Sequence, residues 1–96
     1  MNEKQTEIAN KAIEKWGIEA QLDMVIEEAA EVIQACNKLK RTKGDPEYTK
    51  RIFDFAEEIS DLRMLLDSME NYFKLKAICN EFYEVKFDRL EKRLDE

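Results

Sequence analysis

Glycine and proline are nearly absent from this chain: its 96 residues include only two glycines, Gly17 and Gly44, and one proline, Pro46. A β-sandwich or barrel needs many tight turns, and a disordered linker is usually rich in the same residues. The composition therefore argues against both and predicts a mostly helical chain. The length fits one domain that spans residues 1–96.

Apolar spacing and the few helix-breaking residues together predict four helices. The first is predicted to stop at Trp16-Gly17, where glycine can adopt a left-handed cap. The third is predicted to start at Asp45-Pro46-Glu47, with an N-cap, a proline at the first helical position and an early acidic residue. The four predicted helices cover about residues 3–15, 19–41, 46–71 and 75–94.

The residue inventory excludes several kinds of chemistry and partner. Without histidine, the chain cannot build a Ser-His-Asp triad, a His-ligated zinc site or a Glu-x-x-His di-iron site. Cys36 and Cys79 stand singly within helical patterns, which predicts reduced packing residues and a cytoplasmic protein. A net charge of −6 argues against nucleic-acid binding. No apolar run reaches the roughly 20 residues that a membrane span needs.

The second predicted helix is apolar on two sides. At about 100° per residue, one side has the pattern of an ordinary core face and holds Leu22, Val25, Ile26, Ala29, Ile33 and Cys36. A second apolar sector, roughly opposite, holds Met24, Val32, Ala35 and Leu39. Glu28 and Glu31 lie within this second sector, whereas Glu27 points outward. Because both sides need a cover, Glu28 and Glu31 are predicted to face an interface.

The third predicted helix repeats this arrangement. Its apolar stripe holds Phe55, Ile59, Leu62, Leu66 and Met69. Glu58 lies at the edge of the stripe, and Asp61 lies about 60° further round. Each of the two helices thus carries an acidic pair at i, i+3 spacing beside apolar residues. Four uncompensated carboxylates in such surroundings would cost on the order of several kcal/mol, so we expect a positive charge among them.

A hard divalent cation is the natural candidate for that positive charge. Carboxylates without Cys or His favour Mg²⁺ or Mn²⁺ over zinc. Mg²⁺ usually keeps several waters and meets substrate phosphates, which indicates phosphoryl or nucleotidyl chemistry. The alternative is a solvated acidic surface, since 40% of the residues are charged and some acidic pairs arise by chance. Helical phase alone leaves both interpretations open.

The acidic pairs lie in two short motifs, Glu27-Glu28-Ala29-Ala30-Glu31 and, after 26 intervening residues, Glu58-Ile59-Ser60-Asp61. They resemble the EExxE…ExxD signature of the MazG-like, all-α nucleoside triphosphate pyrophosphohydrolases. The likeness covers about residues 8–94 and includes the flanking segments Lys15-Trp16-Gly17, Gln21-Leu22-Asp23 and Lys86-Phe87-Asp88-Arg89-Leu90-Glu91-Lys92-Arg93-Leu94. The resemblance implies hydrolysis between the α- and β-phosphates, which yields a monophosphate and pyrophosphate.

The resemblance also implies a metal site and an assembly. The Mg²⁺ ligands would be the four carboxylates Glu28, Glu31, Glu58 and Asp61. Members of the family build helical bundles from two or more chains, so we expect a four-helix bundle-like fold completed in a homodimer or homotetramer. Because histidine is absent, Glu27 or Glu57 is the candidate general base, or supports the metal ligands. The alternative is that both residues are merely solvated.

The triphosphate and its base need contacts of their own. Lys86, Arg89 and Arg93 follow one another at i, i+3 and i+7, and this basic stripe could reach the phosphates. The alternative is that it pairs with acidic neighbours on the same helix. Arg63 is a further candidate cation. Trp16 could stack on the base, or it could instead close the end of the bundle core.

Competing functions stay open at this point. Within the same superfamily, the chain could be a phosphoribosyl-ATP pyrophosphatase or a hydrolase confined to pyrimidine deoxynucleotides. A general pyrophosphohydrolase would instead remove non-standard triphosphates or control a nucleotide pool. In a different class, the chain could be a non-catalytic helical interaction module whose acidic faces serve solubility.

Overall fold

The computed structural model describes all 96 residues and contains four α-helices and no strand. The helices are α1 (Glu3–Trp16), α2 (Ile18–Arg41), α3 (Tyr48–Tyr72) and α4 (Lys76–Leu94). The predicted all-α class and the number of helices are therefore confirmed. None of the four helices combines the length and the apolar character that crossing a membrane requires.

Both ends of α1 are capped by residues next to it in sequence. The backbone N–H of Gln5 donates to Asn2 Oδ1 over 2.8 Å, and the backbone N–H of Asn2 donates to Gln5 Oε1 over 2.9 Å. This reciprocal pair is a capping box. At the other end, Gly17 has a φ of 88° and its N–H donates to the carbonyl of Ile13 over 2.7 Å. The prediction that α1 ends at this glycine is confirmed. Its ψ of 155° lies outside the left-handed helical region, in a conformation that glycine adopts readily.

The start of α3 differs from the prediction. Asp45 Oδ1 accepts the N–H of Glu47 over 2.9 Å, and the carbonyl of Asp45 accepts the N–H of Tyr48 over 3.0 Å. The aspartate thus closes a turn, and α3 begins at Tyr48 with Glu47 as an N-cap whose side chain makes no capping hydrogen bond. The prediction of an N-cap at Asp45 is wrong, because the same side chain can cap a helix or close a turn.

The fold is organised around the pairing of α2 with α3, which is the most extensive helix contact. α1 packs on both of these helices, whereas α4 contacts only α3. The buried core is small. It comprises six residues, Ile13, Gln21, Ala35, Leu65, Ser68 and Met69.

The side of α2 that packs within the chain is the second apolar sector. Ala35 is buried there, and Glu28 and Glu31 are half-buried. The predicted core face is open instead, with Ile26 and Ile33 exposed by 69% and 62%. A single chain has enough helices to cover only one side of α2, and the apolar pattern is strong on both.

The same correction applies to α3 and to the first cysteine. In the predicted stripe of α3, Met69 is buried, but Ile59 and Leu66 are exposed. α3 is rotated so that the edge with Leu65 packs inside the chain. Cys36 is a free and exposed thiol, so its prediction as a packing residue is wrong within one chain. Cys79 is free and half-buried.

A turn without glycine joins α3 to α4. Lys74 has a φ of 56° and is the only residue other than glycine with a positive φ. The N–H of Leu75 donates to the carbonyl of Glu70 over 2.8 Å, and the N–H of Lys74 donates to the carbonyl of Asn71 over 3.3 Å. These two bonds form a Schellman motif, whose left-handed position glycine normally occupies.

We predict that Lys74→Gly stabilises the protein. Glycine removes the steric strain of a side chain in the left-handed region, and the gain should be about 0.5–1 kcal/mol of unfolding free energy. Chemical denaturation at one fixed protein concentration measures this. As the control, Lys50→Gly within α3 should lower the same free energy by about 0.5–1 kcal/mol. A destabilising Lys74→Gly would contradict the assignment of strain to this turn.

Candidate functional site

Three of the predicted carboxylates meet where α2 packs against α3. One carboxylate oxygen from each of Glu28, Glu31 and Glu58 lies within 4.8 Å of the other two, and all three residues are half-buried. Glu28 Oε2 and Glu58 Oε2 are buried and have no hydrogen-bond partner. The two acidic motifs therefore converge on one point. We call these three residues the carboxylate cluster.

The cluster changes the protonation of Glu58. Its pKa rises from an ordinary value of 4.5 to about 7. The largest cause is the neighbouring carboxyl of Glu31, to which a protonated Glu58 can donate a hydrogen bond. Burial and the negative charges of its carboxylate neighbours raise the pKa further. Like charges held this close disfavour full ionisation.

Glu28 and the fourth predicted ligand, Asp61, extend the same electrostatic field. Burial is the largest cause of the raised pKa of Glu28, followed by the negative charges of Glu31 and Asp61. Asp61 is half-buried and acts on the cluster through its charge. Its oxygens are not among those that lie within 4.8 Å of one another. The structure thus brings three of the four predicted ligands together and places Asp61 nearby.

The donor atoms of the cluster fit a hard divalent cation. Only carboxylate oxygens are available, and these are the ligands that Mg²⁺ and Mn²⁺ prefer. Two of the oxygens are buried without a partner, and a cation would satisfy them while removing the mutual repulsion. The residues that could hold such an ion are Glu28, Glu31 and Glu58, with Asp61 beside them.

A polar cleft of about 280 Å³ adjoins the cluster. Its lining residues are Glu31, Gln34, Ala35, Lys38, Arg51, Asp54, Glu57 and Glu58. Arg51 forms ion pairs with Glu47 at 3.4 Å and with Asp54 at 3.3 Å, and its Nε is buried without a partner. Lys38 forms no ion pair within 4.0 Å. The cleft therefore places two cations beside an acidic cluster.

Sequence reasoning missed Lys38 and Arg51, although a signal existed. Lys38 lies seven residues after Glu31, and Arg51 lies seven residues before Glu58. Seven residues are almost two full turns, so each cation shares a helix face with its glutamate. Because α2 and α3 are antiparallel, the step from Glu31 to Lys38 and the step from Glu58 to Arg51 lead in the same direction along the helix pair. Lys38 and Arg51 therefore lie on the same side of the carboxylate cluster. This argument needs the pairing of the two helices, which no local pattern contains.

The two candidate bases occupy different surroundings. Glu57 is exposed and lines the polar cleft beside Glu58. Glu27 is also exposed, but it does not line the cleft. Glu27 influences the site only by its charge, which contributes to the raised pKa of Glu28. Of the two residues, Glu57 is the one that faces the space where a substrate could lie.

The predicted substrate contacts lie outside the cleft. Lys86, Arg89 and Arg93 are exposed on α4, and no ion pair within 4.0 Å joins them to an acidic neighbour. Trp16 is 60% exposed, so it does not close the core of the single chain. The ammonium of Lys15 lies over its ring, 5.4 Å from the ring centroid.

A second cavity, of about 480 Å³, lies between α1 and α3. It is largely apolar, and residues such as Ile8, Ala12 and Met64 line it together with Arg63 and Asp67. Arg63 therefore faces this cavity, not the polar cleft. None of the three clustered glutamates lines the second cavity.

Comparison with known proteins finds no match: no protein-family model matches the chain, and neither curated proteins nor solved structures give a significant match. The interpretation of the site therefore depends on its own geometry and on the two short acidic motifs. Both point to the same residues, because the motif positions Glu28, Glu31 and Glu58 are the ones whose oxygens converge.

We predict that the raised pKa of Glu58 makes stability depend on pH. Between about pH 4.5 and pH 7 the native state holds a proton that the unfolded chain releases, so stability in metal-free buffer should fall as the pH rises through this range. Glu58→Gln should reduce this fall. Thermal unfolding at a series of pH values measures it.

The control for this measurement is Glu57→Gln, which changes an exposed neighbour outside the cluster. Its unfolding midpoint should follow the pH dependence of the unaltered protein. Equal pH slopes for the two variants would contradict the raised pKa of Glu58.

Proposed function

We propose that this chain is a Mg²⁺-dependent nucleoside triphosphate pyrophosphohydrolase of the MazG-like type. The reaction would cleave the bond between the α- and β-phosphates and release a monophosphate and pyrophosphate. The observation that carries this proposal is the convergence of Glu28, Glu31 and Glu58, one oxygen from each within 4.8 Å of the others. These residues come from the two motifs that resemble the family signature, and that resemblance supplies the reaction.

The proposed metal ligands are the carboxylate cluster and Asp61. The two buried oxygens without partners, Glu28 Oε2 and Glu58 Oε2, support this assignment. When bound, Mg²⁺, or Mn²⁺ in its place, supplies positive charge for the phosphate oxygens and makes water more acidic for in-line attack. Because the pKa of Glu58 is raised to about 7, binding of a metal there would displace a proton near neutral pH.

The other roles belong to residues that line the cleft. Lys38 and Arg51 can donate hydrogen bonds to phosphate oxygens and reduce the repulsion between an acidic site and an acidic substrate. Glu57 is the preferred general base, since its carboxylate faces the cleft and can accept a proton from the attacking water. Stacking of a base on Trp16 remains a prediction from the sequence.

Oligomerisation is part of the proposal. The basic stripe of α4, formed by Lys86, Arg89 and Arg93, lies outside the cleft of its own chain. In a homodimer or homotetramer, the stripe could approach the phosphates bound by another copy. The small buried core of the single chain, six residues of 96, supports such an assembly.

We predict that the protein with Mg²⁺ releases pyrophosphate from at least one nucleoside triphosphate. Glu31→Gln and Asp61→Asn should each reduce the rate by more than about 100-fold, since even the partners of metal ligands typically contribute 10- to 100-fold. The assay measures pyrophosphate and orthophosphate separately, over standard and modified nucleotides. Glu14→Gln, which removes an exposed carboxylate from α1, is the matched control and should keep full activity.

The products of the same assay separate the competing functions. Release of orthophosphate would contradict cleavage between the α- and β-phosphates. Turnover of phosphoribosyl-ATP alone, or of pyrimidine deoxynucleotides alone, would select a narrower member of the superfamily. Absence of turnover with every nucleotide would overturn the enzyme proposal in favour of a helical interaction module.

We predict that Lys38→Gln raises KM for the triphosphate by about tenfold, the effect of losing one charge-assisted hydrogen bond of about 1.4 kcal/mol. Steady-state kinetics with Lys43→Gln as the exposed control measure this change. Lys86→Gln is assayed beside them. An unchanged KM for Lys38→Gln, together with a raised KM for Lys86→Gln, would contradict a phosphate contact in the cleft and would indicate that α4 contacts the phosphates instead.

A further inference from the structure

The cavity between α1 and α3 has no role in the reaction proposed above. Its volume is about 480 Å³, and sites that bind small molecules typically measure about 300–1,000 Å³. Such sites are mostly apolar and contain a few polar groups that orient the ligand. Ile8, Ala12 and Met64 supply apolar wall here, and α2 and α3 supply the polar groups. We call this space the α1–α3 cavity.

Two polar side chains of the buried core line the α1–α3 cavity. Gln21 and Ser68 are exposed by only 8% and 6%. Neither the amide of Gln21 nor the hydroxyl of Ser68 makes a hydrogen bond within the chain. Ser60 lines the same cavity, but its hydroxyl donates to the carbonyl of Ala56 over 2.9 Å. Because a buried polar group without a partner destabilises a fold, Gln21 and Ser68 need a partner from outside the chain.

The charges around the α1–α3 cavity favour an uncharged ligand. Its charged lining residues are one cation, Arg63, and one anion, Asp67, so the lining carries no net charge. Neither residue forms an ion pair within 4.0 Å. A phosphate group would find more positive charge in the polar cleft, where Lys38 and Arg51 lie together. The cavity therefore suits the uncharged part of a substrate.

The register of the helix pair places this cavity on one side of the carboxylate cluster. Gln21 lies seven residues before Glu28 on α2, and Ser68 lies seven residues after Asp61 on α3. Seven residues are almost two full turns and span about 10.5 Å, so each polar residue shares a helix face with a proposed metal ligand. Because α2 and α3 are antiparallel, both steps lead in the same direction along the pair.

The polar cleft lies in the opposite direction. The steps from the cluster to Lys38 and to Arg51 run toward the other end of the helix pair. The order along the pair is therefore the α1–α3 cavity, the carboxylates and the polar cleft. A nucleoside triphosphate has the same order of parts, with an uncharged base at one end, phosphates at the other and the sugar between them.

We propose that the α1–α3 cavity binds the nucleobase of the triphosphate, and that Gln21 and Ser68 determine which bases are accepted. The amide of Gln21 presents a donor and an acceptor side by side, which match the neighbouring donor and acceptor on the Watson–Crick edge of a base. The hydroxyl of Ser68 can donate or accept beside it. This inference rests on the proposed function, which supplies the phosphates and the metal that orient the substrate.

The cavity is a different base site from the one that the sequence predicts. Trp16, the predicted stacking partner, does not line the α1–α3 cavity and is 60% exposed. A base in the cavity would instead have its ring faces covered by apolar side chains and its polar edge satisfied by buried groups. The two sites therefore predict opposite effects for substitutions at Trp16 and at Gln21.

Binding of nucleosides without phosphate or metal tests the cavity by itself. Uridine, cytidine, adenosine and guanosine are each added at millimolar concentration, and thermal unfolding is measured. At least one of them should raise the midpoint, because a ligand that binds only the native state stabilises it. Gln21→Met keeps a side chain of similar length without the amide, and it should remove this rise. Asn37→Leu is the matched control, since it replaces an exposed amide of α2 that lines neither space.

Steady-state hydrolysis with Mg²⁺ tests the role of Gln21 in base selection. The substrates are nucleoside triphosphates and their analogues methylated at N3 of a pyrimidine or N1 of a purine, which blocks the Watson–Crick edge. For the preferred base, methylation should lower kcat/KM at least about 100-fold in the unaltered protein, the effect of losing two hydrogen bonds. In Gln21→Met the ratio should shrink to less than about tenfold, because the parent substrate has already lost those bonds.

Ser68→Ala is a second variant, and it should lower the ratio of parent to methylated substrate in the same direction. The ratio separates base selection from a structural defect. A variant that merely folds poorly would lower kcat/KM for both substrates alike and leave their ratio unchanged. Trp16→Leu, measured beside these variants, should keep the ratio of the unaltered protein.

Three results would overturn the proposal. The first is an unfolding midpoint that no nucleoside raises, which would mean that the cavity holds only water. The second is a methylation ratio that is the same in Gln21→Met and in the unaltered protein. The third is a loss of nucleoside binding in Trp16→Leu while Gln21→Met retains it.

Failure of this proposal and failure of the proposed function give different results. Hydrolysis without nucleoside binding or base selection would overturn the cavity assignment and keep the enzyme. Nucleoside binding that depends on Gln21, without turnover of any triphosphate, would overturn the enzyme and support the cavity as a nucleobase site.

Discussion

The antiparallel packing of α2 against α3 is the contact on which the rest of the structure depends. It buries Ala35 and Leu65, and it also brings Glu28 and Glu31 to Glu58. The second consequence opposes the first, because clustered carboxylates with buried oxygens destabilise the pair that holds them. A helix pair selected for stability alone would place apolar residues at these positions. Such a destabilising cluster beside a cleft is a candidate functional site.

The local features of the fold could be predicted from the sequence where one residue admits one conformation. Gly17 takes a positive φ, and α1 ends there as predicted. Asp45 illustrates the opposite case, since an aspartate before a proline can cap a helix or close a turn, and the choice depends on the backbone that follows. Lys74 takes the left-handed position that glycine usually fills, so composition gave no sign of the strain at that turn.

The site could be predicted as far as each helix determines its own faces. The i, i+3 spacing places Glu28 with Glu31 on any helix, and the half-buried position follows from their apolar neighbours. Lys38 and Arg51 were not predicted as site residues, because their position beside the cluster depends on the register between two helices. The same limit explains the misplaced core of α2: Ile26 and Ile33 have the periodicity of buried residues, but periodicity does not say whether the cover comes from the same chain.

The small core and the acidic cluster raise the same energetic question. Six buried residues give little stabilising burial to offset the repulsion within a cluster that raises the pKa of Glu58 to about 7. A second copy that covers the exposed apolar side of α2, with Ile26 and Ile33, would add apolar burial without altering the cluster, and a cation would remove the repulsion without altering the core. The two contributions act at different places on the α2–α3 pair, so they should add. The stability of such a protein would then rise with its own concentration as well as with that of the metal, because each binds only the native fold.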